Sequence, residues 1–161
     1  MKLPEFLLRL GYTAKEAQQV GIRQFFGRAS SGLQATQEIG VAVPLTIAPG
    51  NMLILTHLGA SIRHTAAQYP RHVWWALQPP AGWGTQSYYE LGGVELTNSI
   101  NPNRGLGMAC EIAVPFARSS GSPVDWQLLT YGLFTAAVAS GEVVGSALGW
   151  VIPAPIWLAQ A

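Results

Sequence analysis

Charge is what this sequence has least of: Asp, Glu, Lys and Arg together make up 11% of its 161 residues, and the formal net charge is +1. That is under half the usual charged share of a soluble domain, and so weak a field cannot hold a phosphate backbone through counterion release. Direct nucleic-acid binding is therefore not expected. Cysteine is reduced to Cys110, which excludes an intrachain disulfide and a cysteine metal cluster. A lone cysteine of this kind is expected as a small buried apolar residue. A secretory leader is not expected either, since the apolar stretch from Met1 to Leu10 is short and carries Lys2, Glu5 and Arg9.

Catalytic signatures are missing as well. The texts nearest to a Gly-x-Ser-x-Gly elbow, Ser30-Ser31-Gly32 and Ser119-Ser120-Gly121-Ser122, lack the flanking glycines. Gly105-Leu106-Gly107 has neither the third glycine nor the following helix that would present amides to a phosphate. His57, His64 and His72 could contribute to a metal site only with a further ligand such as Glu90, Glu95 or Glu111, and nothing in their spacing requires it. The expectation is a protein that is not an enzyme, with no catalytic residues, no metal and no cofactor.

What the chain does have is hydrophobic content, 49%, cut into short runs by 18 glycines and 11 prolines. High hydrophobicity with low net charge is the opposite of a disordered composition, and this length suits one domain of ordinary size. The first 28 residues differ from the rest. Leu3, Phe6, Leu7 and Leu10 recur at helical spacing before Gly11, and Thr13-Ala14-Lys15-Glu16 reads as a capping box opening a second helix. That helix is expected to reach Val20 or, past Gly21, Phe26, with Ala17, Val20 and Phe25 on its apolar side. Five bases face two acids here, so residues 1–28 read as a basic helical arm; after them six acids face four bases. Residues 29–38 lie in a small, polar, aperiodic stretch that reads as a linker.

From residue 39 to residue 161 the pattern is that of an antiparallel two-sheet β-sandwich of seven or eight strands. Val41, Val43, Leu45 and Ile47 alternate with smaller or polar residues before the turn text Ala48-Pro49-Gly50-Asn51. Met52 to Ile62, His72 to Gln78, Tyr88 to Leu96 and Met108 to Phe116 read as further strands, with Asn98 to Gly107 as a loop. Trp126 to Ala139 and Glu142 to Ile152 read as a hairpin around Ser140-Gly141. This apolar tail is long enough to span a bilayer, but its glycines, Pro153, Pro155 and the central Glu142 disfavour that. A helix over Tyr131 to Leu148 is a weaker alternative, opposed by its glycines.

Aromatic residues are the informative part. Trp74 and Trp75 on one strand must point to opposite faces, so one of them is exposed, at an interface or under a cover. Trp83, Tyr88 and Tyr89 follow closely. These five are the candidate ligand or interface residues, while Leu3, Phe6, Leu7, Leu10, Phe25 and Phe26 are the candidate contacts of the arm. A sparsely charged surface is poorly protected against association, which points to a permanent oligomer.

The stretch from Val41 to Leu77, opening Val-Ala-Val-Pro-Leu-Thr-Ile-Ala-Pro-Gly-Asn-Met-Leu-Ile-Leu-Thr-His-Leu, resembles the opening of bacteriophage virion proteins with a jelly-roll-like sandwich: a strand, a Pro-Gly turn and a long apolar strand. The likeness covers about a quarter of the chain and carries no diagnostic motif. It implies a capsid, decoration or connector component, assembled in the host cytoplasm into a virion, whose partners are copies of itself and other virion proteins. The alternatives are a carbohydrate-binding module using exposed aromatics and a small protein anchored in a membrane by its tail.

Overall fold

The computed structural model describes residues 5–9, 11–64, 70–81, 87–96, 103–114 and 124–153. Two short helices, α1 (Glu5–Arg9) and α2 (Ala14–Gln19), precede eight strands: β1 (Arg23–Ser30), β2 (Glu38–Ile47), β3 (Asn51–His64), β4 (Pro70–Gln78), β5 (Tyr89–Glu95), β6 (Asn103–Val114), β7 (Val124–Phe134) and β8 (Gly141–Pro153). The mainly β expectation holds.

The strands form two four-stranded antiparallel sheets, ordered β1-β8-β3-β6 (sheet A) and β2-β7-β4-β5 (sheet B). Arg23 lies opposite Val151, Glu38 opposite Leu133, Leu53 opposite Val114 and His72 opposite Glu95. The chain is thus one long antiparallel ribbon, doubled back between β4 and β5, whose successive strand pairs fall alternately in the two sheets. Rolled up, the ribbon brings β8 against β3 and β7 against β4. This eight-strand order is a jelly roll.

Alternation sets which residues fill the space between the sheets. In β2, Ile39, Val41, Val43, Leu45 and Ile47 are buried while Glu38, Ala42, Pro44 and Thr46 are exposed. Pro44 lacks an N–H, and β2 tolerates it as an edge strand paired only with β7. The Ala48-Pro49-Gly50-Asn51 turn closes with Asn51 N–H donating to the Ala48 carbonyl at 3.2 Å, and Gly50 takes φ 74°. That left-handed position is open to glycine without strain. In β3 the register shifts between Leu55 and His57 against both neighbours. This bulge switches parity, so Leu53 and Leu55 before it and Leu58, Ala60 and Ile62 after it all point inward. Trp75, Leu77, Trp126, Leu128 and Phe134 complete the core from sheet B, and Val143, Ala147 and Val151 from sheet A.

Of the two ends expected for the second helix the nearer holds, since it ends at Gln19 with Val20 as its cap. Three expectations are corrected. Residues 23–30, expected partly as helical arm and partly as linker, form the edge strand β1. The reason is packing: a Cβ at Gly27 would stand 2.8 Å from a Val43 methyl and 3.1 Å from the Phe25 ring, so glycine lets this strand close over the core, and its inward row of Phe25, Gly27 and Ala29 is too small and mixed to read as a strand. Asn103 to Gly107, expected as loop, belongs to β6. Finally, β7 and β8 are not a hairpin: they lie in different sheets, β7 paired between β2 and β4 and β8 between β1 and β3, as the rolled ribbon requires. The helical reading of the tail, and with it a helical membrane span, falls for residues 124–134 and 141–153, which are strands; residues 154–161 lie outside the described residues. Among the described residues no helix is long and apolar enough to cross a membrane.

The capping box forms as expected, with Glu16 N–H donating to Thr13 Oγ1 at 3.3 Å and Thr13 N–H donating to the Glu16 carboxylate at 2.8 Å. The helices do not stand free. Leu7, Ala17 and Ile22 are buried with Ile54, Trp150 and Ile152, making a second small core on the outer face of sheet A. Helices of five and six residues have no stability of their own in water, so this docking holds them. The apolar side is Leu7, Ala17 and Ile22; Val20, expected on it, is exposed, and Phe25 is in β1.

Candidate functional site

Strand alternation sends the two neighbouring tryptophans to opposite sides of sheet B. Trp75 is 0% exposed, between the sheets, where its indole N–H donates to the Gly59 carbonyl at 3.4 Å. Trp74 stands on the outer face. Register places it in one cross-strand row, Gly40, Tyr131, Trp74 and Gly93, running over all four strands. Tyr131 and Trp74 stack at 4.2 Å between centroids and 13° between planes, an offset-stacked geometry that aromatic pairs favour. The glycines at the ends make room for the rings. A Cβ at Gly40 would collide with the Tyr131 ring, and one at Gly93 would collide with His72 Nε2 and press on Trp74 Cβ at 3.1 Å.

Tyr88 leans toward Trp74 at 5.9 Å and 44°, and is itself 49% exposed. Burial, followed by the negative charge of Glu38 and the neighbouring Tyr88, pushes the Tyr131 phenol above its ordinary pKa, so it stays protonated and able to donate. Beside Trp74, on the flank Tyr131 does not line, lies a depression of about 220 Å³ walled by His72, Trp74, Tyr88, Glu90 and Leu133. His72 Nε2 is buried and has no hydrogen-bond partner among the described residues.

The outer face of sheet A is chemically different. Its one end is covered by the helices. Further along, Phe26 and Leu148 face each other across β1 and β8 and are 65% and 45% exposed. On one side of them stands the exposed His57, opposite Leu148; on the other the outward residues are small: Gly59 and Ser61 from β3, Gly105 and Gly107 from β6, Val144 and Ser146 from β8. A shallow hollow of about 280 Å³ lies among Phe26, Arg28, Gly59, Ser61, Leu106 and Ser146. Charge on this face comes from Arg28, from Glu111 toward the helices and, at the margin, from Glu142, which accepts from the Ser30 hydroxyl at 2.6 Å and lies 3.8 Å from the exposed Arg63.

The residues singled out from sequence are distributed as follows. Of the aromatic group, Trp74 and Tyr88 meet on the outer face of sheet B, and Trp75 is core. Tyr89 turns away to lie 6.5 Å from Trp126, and Trp83 lies outside the described residues. Of the arm group, Leu7 is buried against the chain's own sheet, Phe25 packs partly buried on the main core, and Phe26 is exposed. Leu3 and Leu10 lie outside the described residues, as does the side chain of Phe6. Tyr131 and Leu148 were not foreseen, and His72 and Glu90 were weighed only as possible metal ligands. Parity within Trp126 to Phe134 places Tyr131 outward, but its meeting with Trp74 depends on strand register. Cys110 is half-buried with Sγ 3.6 Å from the Leu55 carbonyl, and desolvation raises its thiol pKa. Among the described residues no three His, Cys, Asp or Glu side chains converge as a metal site.

No family model matches the sequence, and no curated protein does. Solved structures are similar at low identity. A chain of infectious bursal disease virus, Gx strain, aligns at 12% identity and TM-score 0.40, over 82% of this chain and 33% of that one. The VP2 subviral particle of infectious bursal disease virus aligns at 13% and 0.41, over 86% and 34%. A chain of black queen cell virus aligns at 11% and 0.26, over 90% and 67%. This chain spans about a third of the length of the infectious bursal disease virus chains.

Proposed function

We propose that this chain is a structural assembly protein, a bacteriophage virion component that self-associates through the outer face of sheet A. The observation carrying this reading is the exposed Phe26–Leu148 pair, flanked by His57 and Arg28, beside a stretch of glycine, serine and valine on the same face. Large apolar side chains standing together on a flat surface mark a contact site more often than they mark accident. Small neighbours let a facing backbone come close. Two copies meeting about a two-fold axis would set each Phe26 into the other's hollow, the self-complementary arrangement that closed dimers use. The low overall charge fits the same role, since a lone monomer with this surface is weakly protected against association. In this reading the segment up to Ile22 is an arm that braces the face or reaches a neighbouring subunit, and the partners are further copies and other virion proteins.

Light scattering after size-exclusion chromatography of the full chain tests this. A species heavier than one chain is expected, and Phe26→Ser with Leu148→Ser should return it to one chain's mass with unchanged circular dichroism. A wild-type monomer at every concentration, or an oligomer indifferent to the double substitution, overturns the reading.

A further inference from the structure

We infer that the hollow beside Trp74 on the outer face of sheet B is a binding site for a neutral pyranose ring, carried by Trp74 and Tyr88 as stacking surfaces and by Glu90 as the hydrogen-bonding group, with His72 and Leu133 as walls. It lies on the opposite side of the molecule from the proposed contact face and does not depend on it.

The geometry is specific. Tyr131 covers one flank of Trp74 at 4.2 Å and 13°, and fixes the indole upright by stacking, while Gly40 gives Tyr131 the space to lie where it does. Away from Tyr131, the His72 ring occupies the space over Gly93, and the hollow lies beside the indole among His72, Leu133, Glu90 and Tyr88. A site held by rigid aromatic walls with a few convergent polar groups is the usual anatomy of a small-ligand pocket. A sugar ring meets both demands, because its C–H face is apolar and its rim is a circle of hydroxyls. Those hydroxyls donate to a carboxylate, which Glu90 supplies. His72 Nε2 is buried over Gly93, out of a ligand's reach, so His72 serves the hollow as a wall. About 220 Å³ accommodates one ring and no more.

Charge decides between ligand classes. Glu90 in the wall and Glu95 opposite His72 disfavour an acidic sugar. A quaternary ammonium held between aromatic faces is the obvious rival. Trp74 and Tyr88 stand 5.9 Å apart and tilted by 44°, which closes the gap between them to either ligand, so the ring lies along the hollow beside them and the tetramethylammonium arm of the test separates the two classes.

Saturation-transfer NMR on the full chain, with the methyl pyranosides of glucose, galactose, mannose and N-acetylglucosamine as probes, reads the site directly. At least one should bind saturably in the millimolar range, with transfer concentrated on ring C–H protons. Trp74→Ala should abolish the signal. Because that substitution also unstacks Tyr131, the surface variant Glu90→Gln provides the second reading and should weaken binding several-fold with an unchanged thermal midpoint. No saturable binding of any of the four, binding indifferent to both substitutions, or binding of tetramethylammonium in place of the sugars each overturns the assignment.

Discussion

Leu7 is the residue on which the docking of the N-terminal helices turns, and Leu7→Ala isolates it. The side chain is 0% exposed, wedged between Ala17 and Ile22 on its own segment and Ile54, Trp150 and Ile152 on sheet A. Truncating a fully buried leucine costs about 2–4 kcal/mol, the transfer loss plus the cavity. The helices have five and six residues and cannot offset that from propensity or hydrogen bonding alone. The loss should therefore appear as local opening. Four amides report it: Tyr12 donates to the Leu7 carbonyl, Ala17 to Thr13, Val20 to Glu16 and Ile22 to Ala17. At 1.4 kcal/mol per factor of ten, their hydrogen-exchange protection should fall on the order of 30- to 700-fold. Amides of β8 within the sheet should keep theirs, as should the main thermal transition. Two results refute the reasoning: unchanged exchange at all four amides, or an equal fall at β8, which would make helices and sandwich one cooperative unit.

Three further outcomes are expected. Thr130 is fully buried with no hydrogen-bond partner for its hydroxyl among the described residues, so Thr130→Val should raise stability in urea by about 1 kcal/mol; a loss would mean the hydroxyl is satisfied. A Cβ at Gly149 would run into the Ile54 carbonyl oxygen, a backbone atom that cannot turn aside, so Gly149→Ala should cost about 3 kcal/mol or prevent folding. Hydrogen bonds from the Thr13 hydroxyl and then the Thr13 backbone hold the Glu16 carboxyl below its ordinary 4.5, so the folded form binds its proton less readily than the unfolded form. The capping contribution is thus present above the ordinary carboxylate range and fades as pH falls through the depressed value, which amide exchange at Ala17 and Val20 should follow and Glu16→Gln should abolish.

Much of the sandwich is legible in the sequence because its signal is local. The alternation from Ile39 to Ile47, the Pro49-Gly50 turn and the inward row Met108, Cys110, Ile112 and Val114 each need only period two and turn chemistry. The capping box at Thr13 is local too. What escaped is what depends on distant chain. β1 carries its inward positions as Phe25, Gly27 and Ala29, too small and mixed to read as a strand, and Gly27 is explained only by the Val43 methyl above it. The pairing of β7 and β8 was mistaken because sequence shows adjacency, while sheet membership is set by which partner strands remain free. The candidate site follows the same division. Opposite orientation of Trp74 and Trp75 is strand stereochemistry, but the Tyr131 stack and the His72–Glu90 hollow exist only through registers spanning some sixty residues of chain.

The ribbon topology also explains why the two outer faces differ so sharply. Successive ribbon segments go to alternate sheets, so the small outward residues Gly59, Ser61, Gly105, Gly107 and Ser146 collect on sheet A, and Trp74, Tyr88 and Tyr131 collect on sheet B. With the core between them, a contact made through Phe26 cannot cover Trp74. Association through sheet A therefore leaves the aromatic row of every copy open, and repetition of a millimolar site across an assembly raises its effective affinity without any new contact. The two proposals separate by the same logic: Phe26→Ser should change the mass in solution while the response to a methyl pyranoside persists per chain, and Trp74→Ala should do the reverse. Were both properties lost together in either variant, the faces would not be independent, and the division of roles between the sheets would fail.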